Sequence, residues 1–448
     1  MLKFKQMLHA RALTICASLV FSAVVHPVAA QTAQITEVSP LASTLDPAFA
    51  VDWMQLVYDH VKAETVDAPS ASRVYAYAGV TLYEAVRPGI PGDVSLSTQI
   101  KNAPIFPSPD PTLVYDWPTV ANGALQMIVN YMLPKDDALQ AAAALHDKQL
   151  AARQSVVGND VAQRSQAQGE TLGKAILAWA STDKAAEAIA NAKTYKLPTG
   201  SKWDYIITTA GTIPVGSYWG TVRPFALEKS NVCNIPFNIE PSSDPNSTFY
   251  KQAMEVKTVG DNLTAEQKAI ANWWVDTPGL TGAPSGHWVA LENQMLALLH
   301  LKLDKAAEMY AMVGITIGDS FISCWELKYE KPILRPVTYI NRYISPRWQP
   351  FLATPPFPTY NSGHSVASQA AADMLTALFG QVAFTDTTHV KDGQAARSFT
   401  SFQAAAAEAA ISRLYGGIHF RIDIENGVRQ GQCVAQQVLA RIHLHPAS

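Results

Sequence analysis

The sequence predicts an all-α protein built from helical bundles, with few or no strands. Hydrophobic residues recur at the spacing of three and four that marks one buried helix face in many segments. These segments are rich in Ala, Leu and Gln and poor in β-branched clusters, which favours helix. No alternating pattern of strand length occurs along the chain. With 448 residues, 48% of them hydrophobic, the chain can build a large core and roughly two to three domain-sized units.

The predicted helices follow one another along the chain, separated by turns rich in Pro, Gly, Ser and Asp. Residues 92–112 are expected to be a loop. Residues 193–248 carry many Gly, Pro, Thr and aromatic residues without a period, so they predict a long irregular excursion with one short hairpin at most. The predicted helices are 49–62, 71–86, 118–133, 135–154, 158–181, 250–258, 265–274, 287–301, 305–328, 365–379, 401–413 and 423–442.

The chain is expected to divide into three parts. Residues 1–30 have the pattern of a secretory signal peptide, with a basic start, an apolar stretch over 12–25 and the small-residue sequence Val28-Ala29-Ala30. Residues 31–300 form an N-terminal helical region, and 301–448 form a C-terminal helical domain. This arrangement predicts a secreted or periplasmic protein.

Charge and cysteine content narrow the possible partners. The formal net charge of −3 and the absence of a basic stripe do not predict a nucleic-acid surface. After residue 30 no apolar run reaches the roughly 20 residues that a membrane span needs. Beyond the signal, Cys233, Cys324 and Cys433 are too few for a disulfide framework, although one pair could form in an oxidising compartment. The sequence does not indicate an oligomeric state.

The C-terminal part carries three sequence blocks that suit a tetrahedral oxyanion. Arginine forks match two oxygens at once, lysine adds a point charge, and backbone N–H groups at a helix start complete an anion cradle. Histidines can attack or ligate the central atom and move protons. In chain order the blocks supply Lys328 and Arg335, then Ser362, Gly363 and His364, then Arg413, His419 and Asp423.

Local rules predict how the blocks fold. Pro332 should end the helix that carries Lys328, and Arg335 should follow in an extended conformation before Pro336. In one unbroken helix Arg413 and His419 would point about 240° apart, so a break is expected at Gly416-Gly417. Asp423, four residues after His419, can then fix the tautomer of that ring.

These blocks resemble the superfamily of vanadium haloperoxidases and type 2 phosphatidic acid phosphatases. Its pattern is Lys-x6-Arg-Pro, then Pro-Ser-Gly-His, then Ser-Arg-x5-His-x3-Asp, and all three blocks are present here in the right order. One position departs, because Asn361 stands where the family has Pro. Asn also suits a turn that opens a helix, so the departure changes little.

The resemblance implies a cofactor and a role for each residue. In a haloperoxidase, vanadate would lie among Lys328, Arg335, Ser362, Gly363 and Arg413. His419 would be the single protein ligand to vanadium, held by Asp423, and His364 would assist protonation of the bound peroxide. Hydrogen peroxide and halide would give hypohalous acid, which acts on small organic acceptors. In the alternative, a secreted acid phosphatase, His419 would be the nucleophile and form a phosphohistidine.

Two aromatic residues favour the haloperoxidase. Trp325 and Phe357 match halide-pocket residues of chloroperoxidases and iodoperoxidases, and an aromatic wall suits a large polarisable halide. The layout is most similar to secreted bacterial iodoperoxidases, so iodide is favoured and bromide is the second choice. A non-catalytic anion binder would not need two histidines, and a zinc site built from His364, His419 and Asp423 would compete with their roles at the oxyanion.

A second copy of the Pro-Ser-Gly-His sequence occurs at residues 284–287. It precedes Lys328 in the chain, whereas the family motif follows the arginine, so its order is wrong for the anion site. We expect it to begin a helix, with His287 or Trp288 lining the nearby cavity.

Overall fold

The structure is a computed structural model that describes residues 38–198, 200–206 and 212–446. The predicted signal peptide lies outside these residues. The helices are α1 (Ala48–Ala63), α2 (Ala68–Val86), α3 (Trp117–Met132), α4 (Asp136–Val157), α5 (Asn159–Ala180), α6 (Ala185–Asn191), α7 (Thr248–Asp261), α8 (Ala265–Trp273), α9 (Ala283–Leu298), α10 (Leu303–Glu330), α11 (Pro336–Tyr343), α12 (Gly363–Phe379), α13 (Phe402–Tyr415) and α14 (Arg421–Arg441). The all-α prediction is confirmed.

The long helix α10 runs through the centre of the molecule. It has 28 residues, and nearly every side chain from Ala306 to Trp325 is buried. It packs along α2 on one side and α12 on another. Contact with α2 is close because Gly79 has no side chain, and a Cβ placed there would lie 2.2 Å from the carbonyl oxygen of Tyr310. This close packing fixes the direction in which α10 delivers Lys328.

α2 and α10 lie on either side of the predicted boundary at residue 300, and they share one hydrophobic core. Residues from Val38 onward form one compact unit. The boundary at residue 300 therefore does not separate α2 and α10 into different cores. The division into 31–300 and 301–448 stays a prediction. None of the helices within the described ranges is long and apolar enough to cross a bilayer.

The C-terminal helices enclose the end of α10. α12 packs against α10, α13 and α14, and a small antiparallel pair of strands follows α12. The strands are β1 (Phe384–Asp386) and β2 (Arg397–Phe399), with Phe384 opposite Phe399. Three residues per strand are too few to show an alternating pattern, so the sequence did not predict them.

The irregular excursion is present, and its described part contains no hairpin. Between Tyr195 and Ser247 it has one short turn of 3₁₀ helix, Trp219–Thr221. A disulfide joins Cys233 of this segment to Cys433 of α14, while Cys324 stays free and buried. The pairing of distant cysteines depends on tertiary structure, which is why the sequence left it open.

Most predicted helix boundaries agree with the structure within a few residues, but two helices were missed. α6 has only seven residues. α11 begins directly at Pro336, with Arg335 as its extended N-cap residue. α11 belongs to the stretch that the sequence predicted as a loop leading from Arg335 to Ser362, because its many prolines suggested no regular structure. Proline is, however, well suited to the first position of a helix.

Asp319 of α10 anchors the excursion to the core. Its buried carboxylate accepts backbone hydrogen bonds from Phe225, Ala226 and Leu227 at 2.6, 2.8 and 2.8 Å. These three N–H groups are the reason that an irregular segment can lie against the central helix, since buried backbone donors need acceptors.

We predict that Asp319→Ala lowers the free energy of unfolding by about 3 kcal/mol or more, because three buried donors lose their acceptor. Asp319→Asn keeps one carbonyl oxygen and should cost less. Urea denaturation monitored by circular dichroism measures both variants. An alanine variant with the stability of the wild type would show that the anchor is dispensable.

Candidate active site

Three cationic side chains converge from separate elements. Lys328 lies in the last turn of α10, Arg335 precedes α11, and Arg413 lies in the last turn of α13. Their exposed fractions are 0%, 1% and 1%. Within the described residues none of the three forms an ion pair with a carboxylate. Buried cations without counter-ions are costly, so this arrangement calls for an anionic guest.

Lys328 and Arg335 are both held by backbone carbonyl groups. The ammonium group of Lys328 donates to the carbonyl oxygens of Pro358 and Thr359 at 3.0 and 3.1 Å, and also to that of Asn361. Arg335 donates from Nε to the carbonyl oxygen of Phe357 at 2.8 Å. Lys328 therefore shapes the loop before α12, and its charge acts on the site from behind that loop.

Arg335 also keeps one nitrogen available for a ligand. Its Nη1 donates to the carbonyl oxygen of Ile418 at 2.8 Å and lies 3.1 Å from Nε2 of His419. Its Nη2 is buried and has no hydrogen-bond partner among the described residues. A buried, unsatisfied guanidinium nitrogen beside an imidazole is suited to an anion oxygen.

Arg413 is held by the segment that follows α8. Its Nη2 donates to the carbonyl oxygen of Trp274, and its Nε lies 2.9 Å from the hydroxyl of Ser412. The guanidinium group is close enough to His364 to affect the pKa of that ring. Arg413 thus forms the side of the site that carries His364.

The start of α12 provides the backbone part of the site. Ser362 is the N-cap residue, and its hydroxyl accepts from the backbone N–H of Ser365 at 3.3 Å. The next residue, Gly363, packs against the indole of Trp325, where a Cβ would lie 3.1 Å from a ring carbon. Lys328 donates to the carbonyl oxygen of Asn361, directly before Ser362, so one of the cations lies next to this helix N-terminus, whose dipole favours negative charge.

His419 lies in the break between α13 and α14, where the sequence predicted it. Gly417 adopts φ +74°, which the chain needs to turn between the two helices. Nδ1 of His419 lies 3.2 Å from Asp423 Oδ2 and 3.2 Å from the hydroxyl of Thr359. With its proton on Nδ1, the ring presents the lone pair of Nε2 to the site. Thr359, three residues before Ser362, was not predicted as a site residue.

The charges around His419 keep its ring neutral. Burial lowers the pKa of His419 well below its usual range, and Arg335 and Lys328 lower it further. Burial also raises the pKa of Asp423 to about 6. Nε2 of this ring carries no proton and lies 3.1 Å from Nη1 of Arg335. A neutral imidazole can act as a ligand or as a nucleophile, whereas an imidazolium can do neither.

His364 faces the same space from the first turn of α12. Its side chain is 16% exposed, and its Nε2 lies 3.9 Å from Oδ2 of Asp276. Burial and the charge of Arg413 lower the pKa of His364 well below its usual range. The ring is therefore neutral and has no hydrogen-bond partner on Nε2 within the described residues, so it can accept a proton.

Asp276 is a site residue that the sequence did not reveal. Burial by itself would raise the pKa of this carboxyl, but His287 and His389 bring it well below its usual range. It follows Trp273-Trp274-Val275 in an irregular segment and belongs to no motif. Only the fold brings it next to His364, so no sequence signal could have identified it.

A cavity of about 290 Å³ opens onto these groups. Both His364 and His419 line it, and its remaining wall is mainly apolar. The ring centroids of Trp325 and Phe357 are 5.1 Å apart. The cationic groups of Lys328 and Arg335 lie 5.1 and 4.9 Å from the centroid of Phe357. The other lining residues include Phe321, Pro284, Gly363 and Asp276.

The second Pro-Ser-Gly-His sequence begins α9, as expected, but His287 and Trp288 do not line the cavity. Pro284 lines it instead. His287 is fully buried behind the wall, with Nδ1 about 3.1 Å from Asp276 and Nε2 2.8 Å from Asp386. Burial would lower the pKa of His287, but the two carboxylates raise it to about 10.

The comparisons with known proteins agree with this geometry. Residues 308–446 match the family model of the VCPO second helical-bundle domain. The crystal structure of the first bacterial vanadium-dependent iodoperoxidase is 30% identical, with a TM-score of 0.83, and the match covers 90% of this chain and 99% of that one. No curated protein matches the sequence significantly.

Two further solved structures share the fold. A holo-type bacterial vanadium-dependent chloroperoxidase is 15% identical with a TM-score of 0.63, and the match covers 84% of this chain and 91% of that one. The apo-type structure of a bacterial vanadium-dependent chloroperoxidase is 14% identical with a TM-score of 0.62, and the match covers 91% of this chain and 96% of that one. The chain belongs to the family of vanadium-dependent haloperoxidases.

Proposed function

We propose that the protein is a vanadate-dependent haloperoxidase that oxidises halide with hydrogen peroxide to hypohalous acid, with iodide favoured and bromide as the second choice. The observation that carries this proposal is the group of three buried cations without carboxylate partners, placed beside two neutral imidazoles on one cavity. A buried group of cations beside two neutral imidazoles matches a small, highly charged oxyanion.

The residues present fit vanadate. Arg335, with its unsatisfied Nη2, and Arg413 would donate to its oxygens, and the backbone at Ser362 and Gly363 would add the helix N-terminus. Lys328 would contribute charge through the loop that it holds. Nε2 of His419 would be the protein ligand to vanadium, while Asp423 and Thr359 hold the opposite ring nitrogen. Bound vanadate supplies the Lewis-acid centre at which hydrogen peroxide becomes reactive towards halide.

His364 would move protons at the cavity side of the site. Its neutral Nε2 can take a proton from incoming hydrogen peroxide and return it when hypohalous acid leaves. Asp276, 3.9 Å away, would stabilise the protonated ring once it forms. Arg413 lowers the pKa of His364 whereas Asp276 raises it, so the two neighbours together set the basicity of this ring.

The aromatic wall supports a large, polarisable halide. Trp325 and Phe357 exclude water next to the cationic groups, which strengthens the attraction for an anion. The relative that shares 30% identity is an iodoperoxidase, and this supports iodide over chloride. Small organic acceptors would react with the released hypohalous acid.

The features of the chain support export. The pattern of residues 1–30 is that of a secretory signal, and the disulfide between Cys233 and Cys433 is of the kind that persists in oxidising compartments. We therefore propose a secreted or periplasmic enzyme in which residues 301–448 carry the anion site.

We predict that the vanadate-loaded protein oxidises iodide faster than bromide, and bromide faster than chloride, and that the vanadate-free protein oxidises none of them. Absorbance of triiodide and bromination of a phenol indicator measure the rates. Phosphate-ester hydrolysis by the vanadate-free protein is the arm that tests the phosphatase alternative. A protein with bound vanadium, confirmed by metal analysis, and no halide oxidation would refute the proposal.

We predict that Arg413→Ala weakens vanadate binding by about 10- to 100-fold, because a charge-assisted hydrogen bond to the anion is lost. Arg429→Ala is the control, since Arg429 is exposed on α14. Calorimetric titration with vanadate measures both variants. Equal affinities would mean that Arg413 does not contact the anion.

We predict that oxyanion affinity falls as the pH rises above 7. Burial, together with Arg335, lowers the pKa of Lys328 to about 7. A bound anion raises that pKa, so the complex holds more protons than the free protein, and affinity should drop by up to about tenfold per pH unit above 7.

Sulfate is the probe for this experiment, because its own charge is constant between pH 6 and 9. Titrations at fixed ionic strength should show the fall in the wild type and a flat profile in Lys328→Met. A flat wild-type profile would show that Lys328 keeps its charge throughout, contrary to the prediction.

A further inference from the structure

A second cluster of ligating side chains adjoins the cavity wall, and it shares only Asp276, which lies beside His364, with the proposed vanadate site. It consists of Asp276, His287 on α9, and His389 in the segment between β1 and β2. One donor atom from each residue lies within 4.8 Å of the other two, and all three residues are buried. The second Pro-Ser-Gly-His sequence, which the anion site does not use, supplies the central histidine.

The donor atoms have the spacing of a coordination shell. Oδ1 of Asp276 lies 3.2 Å from Nδ1 of His287 and 3.5 Å from Nε2 of His389. A tetrahedral zinc ion at the usual bond lengths has ligand atoms about 3.3 Å apart. The measured separations bracket this value.

His389 supplies the observation that points to a ligand. Its side chain is 1% exposed, and its Nε2 makes no hydrogen bond within the described residues. The ring is fixed against Trp273, with centroids 5.2 Å apart, and meets the ring of His287 edge to face at 4.9 Å. A buried, fixed nitrogen that points at a carboxylate without a hydrogen bond to it is suited to binding an ion between the two groups.

Both histidines have a carboxylate on the opposite ring nitrogen. Nε2 of His287 lies 2.8 Å from Asp386, and Nδ1 of His389 lies 3.2 Å from Asp392. Asp386 is held in turn by the indole N–H of Trp273 and by Thr388. Histidines that ligate metals usually have such partners, which place the proton on the outer nitrogen and leave the inner one free to ligate.

We propose that Asp276, His287 and His389 form a second metal site, for a divalent transition ion of which zinc fits best. Two imidazoles and one carboxylate are ligands that zinc accepts, and three protein ligands leave a fourth position open. Asp276 also lines the cavity, where Nε2 of His364 lies 3.9 Å from it.

The ion would connect three segments that belong to different elements of the fold. It would join the turn after α8, the first turns of α9 and the loop between the strands, and so fix the wall that carries Asp276 beside His364. It would also neutralise Asp276 and Asp386, which otherwise share a single buried imidazolium. Metal binding at this cluster can be tested without measuring activity with vanadate.

The test is metal analysis of an untagged, full-length chain. After dialysis against a chelator, the wild type should bind about one zinc or cobalt ion per chain, and cobalt should give the visible absorption of a four- or five-coordinate site. His389→Ala should abolish stoichiometric binding. Asp386→Asn, which alters the outer partner alone, should weaken binding by about 10- to 100-fold.

His146→Ala is the matched control, since His146 is a buried histidine on α4 beside the carboxylate of Asp147, and this variant should bind like the wild type. Near-ultraviolet circular dichroism checks the fold of each variant. A wild type that binds no ion, or a His389→Ala chain that binds as tightly as the wild type, overturns the proposal and leaves His287 as a buried ion pair. Vanadate titration of the same samples shows whether the anion site is intact.

Discussion

The structure depends on burying three positive charges in one place without acidic partners. Desolvating an ion costs several kcal/mol even in a relaxed protein interior, and Lys328, Arg335 and Arg413 are almost completely buried. Backbone carbonyl groups solvate part of this charge. Burial lowers the pKa of Lys328 to about 7 and that of Arg335 to about 10. An oxyanion bound among these groups would offset the remaining cost.

Such a pocket needs a rigid frame, because like charges repel. α10 is fixed by close contact with α2 at Gly79, and the end of α10 sets the position of Lys328. Asp319 anchors the excursion, and a disulfide joins the same segment to α14. The loop between Arg335 and Ser362 is held from inside by the two cations themselves. Lys328 and Arg335 therefore belong to the candidate site and also hold the loop that leads to Ser362.

The two histidines are kept neutral by the same charges, and acidic groups with different surroundings tune each of them. Asp423 fixes the ring of His419 through Nδ1, whereas Asp276 lies near His364 without a direct hydrogen bond. Asp276 also contacts His287, which joins the active-site wall to a second polar cluster. Residues 284–287 therefore have a structural role, through His287, that does not involve the anion.

The sequence by itself determined the helical class, and it predicted which residues form the anion set. Helical periodicity is a local property, and the three blocks preserve spacings that are also local: a proline after a helix end, a glycine pair between helices, and a histidine four residues before an aspartate. These features predicted the break that separates Arg413, on α13, from His419.

Tertiary structure alone decided the rest, because the remaining features join residues that are distant in the chain. Asp276, Thr359 and the partners of His287 carry no recognisable spacing, and the short strands and α6 are too brief for a periodic signal. The disulfide between Cys233 and Cys433, 200 residues apart, depends on how the excursion folds back onto α14. Local rules cannot encode such contacts, since each one results from packing the whole chain around α10.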